Sequence, residues 1–148
     1  MRRQNWLVLA ALIALPACSD DPMAPCSHDG PPMGVPALDI VGTLRIAGAE
    51  VVDLGERFEM TLMSTPAREL LVNDHLVLWH EYCLGSAAGN DARRFSDDAS
   101  SFDGVPIAWS ATPHIYTFAQ VILIYEGDDA ELLTLLTSVM GAPVAEGS

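Results

Sequence analysis

The chain has 148 residues, half of them hydrophobic and 18% charged, a composition that supports one buried core and excludes disorder throughout. Its formal charge is −13, and all seven basic residues are arginine. A surface this acidic repels nucleic acid and anionic headgroups, which excludes DNA and RNA as partners; divalent cations or basic proteins suit it better, and plain solubility is the simpler account.

Arg2 and Arg3 open the chain, and no acid precedes Asp20. Trp6 to Ala17 is then an unbroken apolar run. It falls short of the roughly twenty residues that cross a bilayer and has the length of the apolar region of a secretory signal. The arginines favour a cytoplasmic N-terminus during insertion.

The run ends Leu15-Pro16-Ala17-Cys18. This resembles the lipobox of bacterial lipoproteins, in which an aliphatic residue, a variable one and a small one precede the cysteine to be acylated. The resemblance covers residues 1–18. It implies a signal peptide over 1–17, cleavage before Cys18, and lipid on the Cys18 sulfur that holds the protein to the bilayer. Proline is a less usual occupant of the variable place. Ser19 after the cysteine, where Asp would imply inner-membrane retention in lipoproteins of the enterobacterial type, points to the outer membrane. The alternatives are an ordinary secretory signal cut at the same place, giving a periplasmic or secreted protein, and an uncleaved anchor. From Cys18 onwards five arginines face all twenty acids, a formal charge of −15. Lipidation of Cys18 also leaves Cys26 and Cys83 as a pair, and an exported protein can oxidise them to a disulfide. Closing that loop is worth about 4 kcal/mol in the chain-entropy picture. A reactive thiol at Cys83, beside His80 and Glu81, is the rival.

Residues 18–36 contain five prolines and few large apolar side chains, which predicts an extended tether. A single domain is expected over 37–148. Within it, Leu38 to Ala47 reads as a strand, Val51-Val52 as a short one, and Arg57 to Ser64 as a half-buried strand with Phe58, Met60 and Leu62 on one face. Thr65 to Gly85 admits a helix, with Thr65-Pro66 as its start and Gly85 as its end, but lacks a clear apolar stripe; the favoured reading has a helical turn at Pro66–Leu70, a turn at Asn73-Asp74 and a strand over His75 to Leu84. Gly85 to Gly104 is polar and reads as a long loop. Val105–Ala111 and Ile115–Tyr125 read as strands. Asp128 to Met140 reads as a helix with Asp128 and Glu131 at capping-box spacing, ended by Gly141 and Pro143.

The fold class expected is therefore mainly β: a small β-sandwich with a C-terminal helix, or a sheet–helix layer as the alternative. Gly55, Phe58–Leu62 and Trp79 resemble an immunoglobulin-like sandwich at the level of fold alone, which implies no function.

Candidate site residues are few. Asp91, Asp97, Asp98 and Asp103, with Asn90, crowd one loop and supply the oxygen chemistry of calcium sites, but the EF-hand order is missing. His75, His80, Glu81, Cys83 and His114 are potential zinc ligands, but the second histidine of a metalloprotease helix is absent, and on a strand His75 and His80 point to opposite faces. The methionines do not gather: Met60, Met63 and Met140 fall on core elements, Met23 and Met33 in the tether with His28. No nucleophile motif, phosphate loop or haem motif occurs. The expectation is a lipid-anchored accessory protein that contacts an envelope protein, with no cofactor. A small-ligand or metal-ion binding protein is the alternative, and an unrecognised hydrolase the third.

Overall fold

The computed structural model describes residues 39–58 and 62–147, with no side chains described at 56–58. The expected signal peptide, the tether, Cys18 and Cys26 all lie outside these residues.

The fold is mainly β and antiparallel, with a C-terminal helix, in agreement with the sequence. After helix α1 (Ile40–Ile46) come strands β1 (Val51–Phe58), β2 (Ala67–Val72) and β3 (His75–Glu81), helix α2 (Gly85–Ala92), and the short strands β4 (Ser101–Phe102) and β5 (Val105–Pro106). Strands β6 (Pro113–Phe118) and β7 (Val121–Glu126), helix α3 (Ala130–Met140) and strand β8 (Ala145–Glu146) complete the chain. Six strands form one sheet in the order β1-β2-β3-β7-β6-β8, and β4 pairs with β5 in a small second sheet.

The sheet buries a core on each face. On one, α1 and α3 press Ile40, Leu44, Leu132, Leu136 and Met140 onto Val51, Leu70, Val77, Trp79 and Leu123. On the other, Ala88 and Ala92 of α2, with Phe95 and Phe102, cover Ile115, Ile122 and Ile124. This second layer, the small sheet included, gives the fold its sandwich-like character. Strand alternation explains the division: Leu123 faces one core, Ile122 and Ile124 the other.

Several boundaries differ from expectation. The segment read as a strand over 38–47 is α1. Its buried residues, Ile40 and Leu44, are four apart and so share a helical face. Asp39 caps it, accepting from Gly42 N at 2.8 Å. β1 runs on to Phe58, and residues 62–64 form a turn and bend instead of continuing a strand. The helical turn expected at Pro66–Leu70 is absent, its residues from Ala67 onward being the start of β2, whereas the Asn73-Asp74 turn is present. Both its residues are left-handed (φ 51° and 66°), the backbone that a two-residue hairpin requires and that Asn and Asp tolerate. The long loop expected over 85–104 contains α2 and β4. The expected strand over 105–111 shrinks to Val105–Pro106. Ile115–Tyr125 is a hairpin, turning at Ala119-Gln120 between the paired Phe118 and Val121. The C-terminal helix starts at Ala130, and its cap is Asp129, which accepts from Leu132 N at 2.8 Å, instead of Asp128.

Candidate functional site

The largest concentration of buried polar chemistry lies where α2 meets the end of β3. α2 has the sequence GSAAGNDA, and its buried face consists of Ala88, Asp91 and Ala92. Small side chains let the helix sit close to the sheet, and close approach brings Asp91 into the protein. Its carboxylate is 8% exposed. Oδ2 accepts from Ser64 N at 3.0 Å, Ser64 Oγ at 2.6 Å and Tyr82 Oη at 2.9 Å, while Oδ1 accepts from Arg94 Nη1 at 2.9 Å. Burial alone would push this carboxyl up; the bonds from Ser64, Arg94 and Tyr82 outweigh it and hold the group below the ordinary range. Tyr82 responds oppositely. Burial, then its bond to the Asp91 carboxylate, raises the phenol well above its usual value.

The network continues outward. Arg94 donates from Nε and Nη2 to Asp103 Oδ2 at 2.8 and 2.6 Å, and its guanidinium lies 4.2 Å from the centre of the Phe102 ring. Its hydrogen bonds to Asp103, with the one to Asp91, raise its pKa further. The chain of contacts Ser64/Tyr82–Asp91–Arg94–Asp103 thus ties the turn before β2, the end of β3, α2 and the β4–β5 hairpin to one another.

His80 lies on the same sheet face and is fully buried. Its Nδ1–H donates to the Thr65 carbonyl at 3.0 Å, which leaves the lone pair on Nε2. That atom and Thr65 Oγ1 are buried without a protein partner. Burial lowers the His80 pKa, against smaller opposite pulls from the Thr65 carbonyl and the Asp91 charge.

The other candidate ligands are dispersed. His75 points to the opposite face from His80, as strand geometry requires; its Nε2 is 3.8 Å from Asp129 Oδ2 and its ring meets Tyr125 edge-on. His114 stacks on Tyr125 from β6, with Nδ1 3.6 Å from Glu146. Asp98 is committed to its own turn, accepting from Ser96 Oγ, Ser100 Oγ and Ser100 N, and these bonds hold its pKa at about 2. The Asp97 carbonyl accepts from Glu146 N. Asp103 is committed to Arg94. Of the acidic run, only Asp91 is buried. Among the described residues, no group of three or more His, Cys, Asp or Glu is arranged to hold a metal ion. Cys83 is exposed, just beyond β3.

A groove of about 230 Å³ opens on the α1 face. Ile40, Leu70 and Trp79 form its apolar part, and Asp39, Asp53, Arg68 and Glu81 its polar part. Arg68 pairs with Asp53 across it. Sequence reasoning did not foresee this groove, because its residues come from four separate elements. It also missed Ser64, Tyr82 and Arg94 as partners of Asp91. The one available signal was an acid, Asp91, three residues before an arginine in an alanine-rich segment.

No protein-family model, curated protein or solved structure matches this chain.

Proposed function

We propose that this protein is an exported, lipid-anchored bacterial lipoprotein with a non-catalytic accessory or protein-interaction role in the cell envelope. The observation that carries the address is the run Trp6–Ala17 ending in Leu15-Pro16-Ala17-Cys18 behind two arginines. Two or three acyl chains on Cys18 would anchor it far more firmly than one, each buried CH₂ adding about 0.8 kcal/mol. Cys26 and Cys83 would close a disulfide that pins the tether to the domain.

The interaction role is supported by the use the domain makes of its polar groups. Asp91, the one buried carboxylate among the described residues, spends its acceptor capacity on Ser64, Tyr82 and Arg94. That commitment serves to hold α2 and the hairpin in place, so the Asp91 carboxylate acts as a structural group.

Intact mass of protein purified from the native membrane fraction tests the address. The expected result is residues 18–148 plus acyl groups, rising by two hydrogens on reduction. A bare mass would refute lipidation and make the protein a soluble secreted one.

The groove beside Trp79 favours a second reading, a small-ligand binding protein, since an apolar wall with a few convergent polar groups is the usual make-up of such sites. Calorimetry with small organic cations and with Ca²⁺, Zn²⁺ and Cu²⁺ separates the two. Saturable heat abolished by Trp79→Ala would favour the ligand-binding role.

A further inference from the structure

Among the described residues, those that cover the sheet face carrying α2 reach over only part of its width. α2 lies against β6 and β7, where Ile115, Ile122 and Ile124 are buried. Across β1, β2 and β3 the same face presents Val52, Leu71 and Leu76, with Val52 paired to Leu71 and Leu71 to Leu76. Residues directly opposite on neighbouring strands share a face. Leu78, two residues from Leu76, packs against the α2-side core, which fixes the face as this one. Val52 is 45% exposed and Leu76 48%, while Val51 and Val77, pointing the other way, are buried in the helix-covered core.

An in-register aliphatic row, exposed at Val52 and Leu76 and half-buried at Leu71, beside a covered half-face is a surface suited to a partner. Its border indicates which kind. Glu50 lies two residues before Val52, and Asp74 two before Leu76 in the β2–β3 turn; both are exposed. Of the described basic side chains, Arg45 comes beside Val52 but is tied to the Val51 carbonyl; Arg68 faces the α1 groove, Arg93 bonds Asn90, and Arg94 holds Asp91 and Asp103.

We infer that this open half-face docks an amphipathic segment of a second protein, with an apolar stripe on the Val52–Leu71–Leu76 row and Lys or Arg beside it facing Glu50 and Asp74. The inference deepens the interaction role proposed above and rests on it. A second copy of this chain fits poorly, because it brings the same acidic border and the same net charge.

The test uses the full chain in its native host, with a photo-crosslinking residue placed at Val52 or at Leu76. Val105, 53% exposed on β5, serves as the control position. The expected result is one partner captured from 52 and from 76, through a peptide in which Lys or Arg flank apolar residues, and not from 105. With the cross-linker at 52, Leu76→Asp should cut the yield about tenfold, as for a residue central to an interface. Cross-links into a second copy, into residues 18–38, or into a segment without basic residues would overturn the inference. Equal capture from 105 would overturn it too, while leaving the interaction role standing. No capture from any position, in protein whose mass carries the acyl groups, would remove both.

Discussion

Replacing Asp91 tests the central structural argument, that one carboxylate fastens α2 to the sheet. Asp91→Ala deletes the acceptor of four hydrogen bonds at once. Tyr82 is 2% exposed, so its hydroxyl is stranded. Arg94 is more open, with its side chain 37% exposed, and keeps Asp103, so its share is small. A bond to a charged group is worth about 1.5–3 kcal/mol and stranding a buried donor about 1–3, and the terms overlap because they share one acceptor. The expected loss is about 3 kcal/mol. Asp91→Asn keeps the shape, and its amide oxygen can still accept from Ser64 and Tyr82. Its NH₂ then faces the Arg94 guanidinium, so about 1–2 kcal/mol is expected from the lost charge-assisted bond. Urea unfolding at neutral pH, followed by circular dichroism, gives both numbers. The sign with pH is also fixed. The folded Asp91 pKa is depressed, so its contribution is full above the unfolded value near 4 and is lost as pH falls through the folded value; Asp91→Asn removes that slope. An Asp91→Ala protein within about 0.5 kcal/mol of the parent, inside the usual scatter of surface substitutions, would refute the reasoning.

Three further outcomes follow. Because burial depresses the His80 pKa, the unfolded chain binds the proton more readily, so stability is full above the unfolded value near 6.5 and declines below it; His80→Gln should flatten that decline in urea titrations between neutral pH and pH 5. Ala119 sits at φ 51° in the β6–β7 turn, a left-handed backbone costing a non-glycine residue about 1–2 kcal/mol, so Ala119→Gly should raise the midpoint of thermal unfolding despite glycine's entropy in the unfolded chain; a fall would show that the alanine methyl contributes more than its strain costs. Leu136 is fully buried between α3 and the sheet, and Leu136→Ala should cost about 2–5 kcal/mol in the same urea assay.

What was legible in the sequence followed periodicity and turn chemistry. Asn73-Asp74 announced its hairpin because those residues accept a left-handed backbone. Leu132 and Leu136 announced α3 by their spacing. The misreadings share one physical cause, that tertiary contacts decided where local pattern was silent. α2 carries no large apolar stripe, since its buried side is Ala88 and Ala92, so it looked like a loop. The turn at Ala119-Gln120 lacks glycine or asparagine, so two strands looked like one. In α1, β-branched residues favoured a strand reading, yet only the i,i+4 pair Ile40 and Leu44 is buried. The acidic run over 91–103 looked like one set of oxygen ligands, but helix, turn and hairpin send its members to different partners. The Asp91 network joins residues up to 27 positions apart in sequence, and the groove gathers residues from Asp39 to Glu81; no local signal encodes such a meeting.

The network also bears on how the open half-face is kept distinct. α2 is an eight-residue helix with two glycines, too short and too weak in propensity to persist alone. Its place over β6 and β7 therefore depends on Ala88 and Ala92 packing and on Asp91 being held from three sides. If that hold fails, Ile115, Ile122 and Ile124 lose part of their cover and the apolar surface extends from Val52 across to β6. Such a surface would bind less selectively, because an accommodating apolar expanse discriminates poorly between partners. Hydrogen exchange on Asp91→Asn should then show faster exchange confined to α2 and the following hairpin, with β1–β3 and α3 unchanged. Uniform acceleration across the sheet would mean instead that α2 is an integral part of a single cooperative unit, and that the half-face has no existence apart from it.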